Sequence, residues 1–408
     1  MSGKRSRKQA GNRAGSAVSA AEEETMRDFK GTKVLVLNGA SRQVLGVLED
    51  LHSLGCHVTT LNHSKLNNGY ASRYPDKKLL CAPNGDQYRQ ILDLVSTGEY
   101  DVVLPLADVS MDPCTAHCEE LSRYARLPVP PREVFMRAFD KQNTMCICMD
   151  NGIPCPLTKR DGEDLDAFIG KVGFPFIIKP RVANGSKGLK IIRDREQLDK
   201  LLADPDFHPE QQVIQEFIPQ TGTQYNVHCF FDADSTPSTV LVTEKNRWFP
   251  VSGGASCMCR TAQNEQVRAD SERLLKAAGW VSYCEIEFII DPRDGIGKVM
   301  EINGRASASI KIMHLAGINV ARQMLELAFG EKVSTFPAPR DDIRMRCLMT
   351  DILWLLKAPD RFTRKPCWFS PVRTHDVIFS LKDPLPAFAF ILFSIPRYKR
   401  EMKKRQRD

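Results

Sequence analysis

Apolar residues along this chain fall into two textures. The first is a set of short continuous runs separated by helical periodicity. It comprises Lys33–Leu37 (KVLVL), a helix over Val44–Leu54, a strand at His57–Leu61, a helix over Gln87–Ser96 and a strand at Asp101–Pro105. Apolar runs that alternate with helices predict a parallel sheet covered on both faces, a Rossmann-like unit over residues 30–130. The turn after the first run has Gly39 and Gly46 but no GxGxxG fingerprint, so it carries no dinucleotide site and Gly39 is assigned a packing role. Leu127–Pro131 (LPVPP) then breaks the chain.

The second texture is α+β and mostly antiparallel. Phe139–Asp150 predicts a helix, and Phe176–Lys179, Val213–Phe217, Tyr225–Phe231 and Ser238–Val242 predict strands. Cys284–Ile290 and Lys298–Ile302 predict a hairpin across Asp291–Gly297 (DPRDGIG). An amphipathic helix over Ile318–Phe329 ends at Gly330, and Pro337 and Pro339 mark a second boundary. Beyond them Arg344–Lys357 reads as strand or helix, and Asp383-Pro-Leu-Pro precedes the longest apolar run, Ala387–Phe393.

Composition narrows the class. The 408 residues, 42% hydrophobic and 26% charged, suit a globular chain of two or three domains. No run approaches the ~20 apolar residues that span a bilayer. Residues 1–21 are basic at the start without the apolar core of a secretory signal. Together with thirteen scattered cysteines and no CxxC pair, this predicts a cytoplasmic protein with reduced thiols. The net charge of +7 sits at the ends: five cations and no anion in residues 1–13, seven cations against two anions in residues 397–408. The remainder is slightly acidic; the tails read as solvated ends, the favoured reading, or as contacts for nucleic acid or anionic lipid, and nucleic acid is not the expected partner. The apolar segment before the last basic run reads either as a helix packed on the protein's own core or as a peripheral contact at the inner face of a membrane.

Two constellations carry candidate chemistry. Lys179 ends an apolar strand, and Asn184-Gly-Ser-Lys-Gly188 follows it closely. A cation beside several backbone N–H groups suits a polyphosphate, and the same residues suit a surface hairpin tip; the Walker pattern is absent. In the second, Glu285 and Glu287 share a strand face, as do Glu301 and Asn303. Paired as a hairpin, these strands bring Glu287, Glu301 and Asn303 together as hard oxygen donors of the kind Mg²⁺ takes beside substrate phosphates, with Arg305 facing the same phosphates. Between the two lies Gln215–Tyr225 (QEFIPQTGTQY), an extended segment leading to a tight turn.

Taken in order, Asp140-Lys141, PFIIKP with NGSKG, QEFIPQTGTQY, EIEF and MEINGRAS resemble the ATP-grasp superfamily over residues 30–335. The resemblance is in particular to its carbamoyl phosphate synthetase and biotin carboxylase branch and related carboxylate–amine ligases. The resemblance implies a basic tail (1–29), a Rossmann-like pre-ATP-grasp domain (30–130), a two-part ATP-grasp fold (131–335) and a small C-terminal extension (336–408). It implies that Lys141 and Lys179 contact ATP phosphates and that Gly185, Ser186 and Gly188 belong to the lid over them. Glu216, Phe217 and Ile218 would meet the adenine and Gln224 the ribose. Glu287, Glu301 and Asn303 would hold Mg²⁺, with Mn²⁺ as its substitute, and Arg305 with Lys179 would steady the transferred phosphoryl group.

Two positions depart from the pattern: Gln224 replaces the usual Glu, and Gly304 replaces the usual Pro of EINPR, which is expected to loosen that turn. The implied activity is ATP-dependent ligation, in which a small-molecule carboxylate becomes an acyl phosphate that an amine captures. The alternatives are a nucleotide-binding sensor or scaffold without turnover, and a carbamoyl-phosphate or carboxylase-type component that needs a partner; a homo-oligomer is compatible with each. Substrate-binding residues are expected in Lys245–Ser256, where Arg247 reads as a bidentate carboxylate ligand or a surface arginine, and at Ser307 and Ser309.

Overall fold

The computed structural model describes residues 27–82, 85–182, 188–251, 254–336, 342–370 and 373–392. Both basic tails and the Gly185–Ser186 part of the expected lid lie outside these residues.

Strands β1 (Lys33–Val36), β2 (His57–Asn62), β3 (Lys77–Leu80) and β4 (Val102–Leu104) form a parallel sheet in the order β3-β2-β1-β4. Alternation in β1 explains its burial on both sides. Val34 and Val36 join the core that holds the helix Val44–Ser53, while Leu35 and Leu37 join a second core with Ile91 and Val103. β3 is the strand the apolar pattern missed, because KKLL at the sheet edge buries no residue fully.

A small antiparallel sheet follows, built from β5 (Phe176–Pro180), β6 (Lys190–Ile192) and β7 (Gln212–Glu216) in the order β6-β5-β7. Its own core joins Phe176, Ile178 and Ile214 to Phe168 and Leu198 on the helices Leu165–Val172 and Arg195–Leu202.

The largest sheet contains β8 (Gln224–Phe231), β9 (Pro237–Phe249), β10 (Ala255–Thr261), β11 (Ser282–Ile290), β12 (Gly297–Asn303), β13 (Arg344–Arg346) and β14 (Thr374–Asp376). Its order is β12-β11-β8-β9-β10-β13-β14, antiparallel except for the last pair. Val227, Cys229, Cys284, Ile286 and Phe288 pack on the helix Glu265–Ala278 and Trp280. Period-two alternation therefore turns Asn226, His228, Tyr283, Glu285 and Glu287 to the other face.

Four boundaries differ from the sequence reading. β9 runs to Phe249, so the polar Glu244–Arg247 lies on a strand, and β10 was hidden by its small and sulfur-bearing residues. The helix expected over Phe139–Asp150 begins at Lys141, because the Asp140 side chain caps it by accepting from Gln142 N, and a separate helix, Arg132–Phe139, ends just before that cap. The helix expected from Ile318 begins at Val320, because Asn319 caps it through Arg322 N at 2.8 Å. Arg344–Lys357 is both strand and helix, with the break at Cys347.

The extension packs on the rest of the protein. The helix Leu348–Lys357 lies against β9 and β10, and Asp383 accepts hydrogen bonds from Ser72 Oγ at 2.5 Å and Arg73 N at 3.1 Å. All thirteen cysteines are unbridged. Among the described residues no helix is long and apolar enough to cross a membrane.

Candidate functional site

The β11–β12 hairpin sets the geometry. Glu287 pairs with Glu301 and Glu285 with Asn303, so all four side chains share one face. Asn303 Nδ2 donates to Glu287 Oε1 at 3.2 Å, and Arg305 Nη2 donates to Asn303 Oδ1 at 2.9 Å. Arg305 also donates from Nε to Asp108 Oδ2 at 3.2 Å, which ties the hairpin to the start of the helix Asp108–Ala116 beyond β4.

Two lysines converge on these groups. Lys141 opens the helix Lys141–Asp150, placed by the Asp140 cap, and Arg181 grips that cap from the end of β5 with contacts of 3.1 and 2.9 Å. Lys141 Nζ lies 3.6 Å from Glu301 Oε2. Lys179, on β5, is buried; burial lowers its pKa to about 8, with Glu301 opposing and Lys141 reinforcing the shift. Burial pushes the Glu287 carboxyl up to about 7, with Lys245 pulling it down and Glu301 pushing it up. This cleft therefore strains both signs of charge, and a polyanion carrying a divalent cation would relieve both.

Of the expected hinge, Ile218 is buried and Glu216 is held at both oxygens, by Arg293 Nη2 at 2.6 Å and Leu157 N at 3.0 Å. Phe217 is half-buried beside them, and Gln224 opens β8 opposite Lys245. The turn between β7 and β8 needs Gly222: a Cβ there would lie 1.7 Å from the Ile290 carbonyl oxygen. Gly188 has φ +75°, and a Cβ on it would approach Pro180 to 2.9 Å.

Three sequence readings are corrected. Arg247 is not available to a substrate carboxylate, because its Nε and Nη2 donate to Asp351 at 2.6 and 2.8 Å in a buried fork. Ser307 and Ser309 do not line an open face. They are buried in a hydrogen-bonded chain that runs from His228 through the Tyr283 hydroxyl and both serine hydroxyls to Glu285. Gly304 does not loosen its turn, since a Cβ there would lie 2.7 Å from the Trp280 ring.

The sequence reading missed Asp108 and Arg42. Asp108 opens the helix that follows the carboxyl end of the parallel strand β4, the side where α/β sheets place functional groups, and that rule could have found it. Arg42, in the turn after β1, donates to the Ser256 carbonyl at 3.2 Å across the cleft from β10; no local pattern signals that contact.

The residues fit a Mg-bound nucleotide. No group of three or more His, Cys, Asp or Glu converges among the described residues, so a cage made wholly of such side chains is not what this face offers. Two carboxylates and an amide beside two lysines and an arginine make a partial donor set that suits Mg²⁺ completed by water and phosphate oxygens.

Comparison with known proteins finds likenesses of family and of fold. The family described as carbamoyl-phosphate synthase L chain, ATP binding domain, matches residues 133–336. The carbamoyl phosphate synthase large chain of Thermomicrobium roseum is 28% identical over 230 residues, 54% of this chain and 21% of that one. D-aspartate ligase of Enterococcus faecium is 24% identical over 228 residues, 52% of this chain and 54% of that one. This chain thus spans from a fifth to about half the length of these relatives. Among solved structures, the biotin carboxylase domain of Hydrogenobacter thermophilus 2-oxoglutarate carboxylase, in complex with MgADP, ADP and bicarbonate, superposes with a TM-score of 0.63. It is 17% identical, with 77% of this chain and 73% of that chain covered, a likeness of fold.

Proposed function

This chain belongs to the carbamoyl-phosphate synthase L chain ATP-binding family of the ATP-grasp superfamily, and from that premise we propose that it is an ATP-dependent carboxylate–amine ligase. The observation that carries the reading is the convergence of Glu287, Glu301 and Asn303 with Lys141, Lys179 and Arg305 on one face. In this reading the parallel sheet is the Rossmann-like pre-ATP-grasp domain, and residues 131–335 form the two-part ATP-grasp fold.

The reaction needs charge neutralisation and in-line alignment rather than a side-chain nucleophile. A carboxylate oxygen of the substrate attacks the γ-phosphorus and ADP leaves; the amine then attacks the acyl carbon and inorganic phosphate leaves. Lys141 and Lys179 hold the phosphate oxygens, and Arg305, oriented by Asp108 and Asn303, meets charge on the phosphoryl group in transit. Glu287, Glu301 and Asn303 would hold Mg²⁺, which supplies Lewis-acid neutralisation of the phosphates. Ile218, with Glu216 and Phe217 beside it, packs the adenine, Gln224 hydrogen-bonds the ribose, and Gly188 borders the lid. Small-molecule carboxylates and amines are the substrates.

The chemistry is tested by turnover with a carboxylate labelled in both oxygens with heavy oxygen. Passage through an acyl phosphate delivers one labelled oxygen to the released phosphate. Product formation with unlabelled phosphate would refute it.

A further inference from the structure

In the parallel sheet the chain runs from β1 to β2 and β3 on one side and then crosses to place β4 on the other, so the strand order reverses between β1 and β4. The crevice outside the carboxyl ends of such a pair is where open α/β sheets bind ligands. Asp108 follows β4 there and joins the site through Arg305. Arg42 follows β1 on the other side of the crevice. Gln43 beside it is buried and donates from Nε2 to the Leu106 carbonyl at 3.0 Å, which fixes the turn across the crevice.

Arg42 is half-buried, and its Nη2 donates to the Ser256 carbonyl at 3.2 Å. Arg181, Arg247, Arg293 and Arg305 each grip a carboxylate, whereas Arg42 forms no ion pair among the described residues. A guanidinium has five N–H donors, so most of this fork is open. The Ser256 hydroxyl, next to the carbonyl that Arg42 holds, is also unsatisfied: it is buried against the Cys259 thiol and meets hydrogen-bond geometry with no partner. Burial and then Glu285 push that thiol up to about 12, while Arg42 draws it down, so both charges lie close to one sulfur and the fork faces the cleft of the metal face. Glu285 stands two residues, about 7 Å, along its strand from Glu287. Arg42 therefore serves a group set apart from the metals and the transferred phosphoryl.

We propose that Arg42, with the Ser256 hydroxyl, binds a substrate carboxylate other than the one that is phosphorylated. The assignment rests on the ligase reading and adds the class of substrate: at least one of the two carries a carboxylate that does not react. The carrier is the acyl donor if it is a dicarboxylate, or the amine if it is an amino acid. A planar fork matches a carboxylate through two parallel hydrogen bonds. A phosphate ester, with nearly two charges, fits less well, because Glu285 lies on the same side of the cleft.

The test dialyses the full chain, with and without MgADP, against a mixture of the common amino acids and a mixture of dicarboxylates from malonate to adipate. Amino acid amides and monoamides of the diacids are the controls, and retained compounds are identified by mass. The expected result is retention of a carboxylate and not of its amide, weakened about tenfold or more by Arg42→Gln. Arg42→Lys keeps the charge and loses the fork, so it should restore only part of the retention. Retained amino acids make the amine the carrier, and retained dicarboxylates the acyl donor. Equal melting of the variants and the wild type checks the fold. No retention by the wild type, equal retention of the amides, or full retention by Arg42→Gln overturns the proposal. MgADP binding is read in the same dialysis: a chain that holds no nucleotide contradicts the ligase reading, while one that holds nucleotide but no carboxylate contradicts the assignment of Arg42 alone.

Discussion

A single side chain can change meaning when its partner is distant in sequence. Arg247 has the residue type and the setting of a carboxylate ligand, yet the carboxylate it binds is Asp351, 104 positions away. Removing one member of a buried pair leaves the other charge unpaired, so Asp351→Ala should destabilise the protein by about 3–5 kcal/mol, read by denaturant unfolding. Asp291 gives a second prediction. Arg293 and then Lys298 hold its carboxyl well below the usual range, with Lys298 Nζ at 2.6 Å. A pKa depressed in the folded state contributes stability above the unfolded value of about 3.9, and that stability is lost as pH falls through and below it. Asp291→Asn should therefore cost about 1–3 kcal/mol at neutral pH and flatten the fall in stability on the acid side, as unfolding across pH would measure.

At the scale of elements, the hairpin was the most legible part of the chain. Period-two alternation and the turn residues of DPRDGIG specify the pairing that places Glu287 opposite Glu301. Elements that escaped the pattern lacked an apolar run: β3 is half lysine, and β10 reads ASCMCRT. The packing that makes Gly304 tight was equally invisible, because Trp280 lies outside its strand and its turn. Gly222 has the sharpest local consequence. Its substitution by Ala drives a Cβ into the backbone of β11, so the β7–β8 turn must shift. The cost should be about 1–3 kcal/mol, and weaker nucleotide binding with unchanged Mg²⁺ binding would place the damage at the hinge.

At the scale of the whole molecule, the site is assembled from three sheets. The small sheet supplies Lys179, the largest sheet Glu287, Glu301 and Asn303, and the helix that follows the parallel sheet's β4 supplies Asp108. The order of motifs pointed to the superfamily because each motif is local. The contacts of Arg305 with Asp108 and of Arg42 with Ser256 bridge 197 and 214 positions and emerge only on folding. The charge-rich ends were legible as composition, but which face of the last helix is buried was not.

The most direct test of the ligase reading is ADP formation from ATP and Mg²⁺ with pools of carboxylic acids and amines, using Glu301→Gln as the blank. The account predicts ADP release that depends on both a carboxylate and an amine and falls about a hundredfold or more in the variant. Nucleotide binding without turnover in any pool, or turnover that Glu301→Gln leaves unchanged, would contradict it.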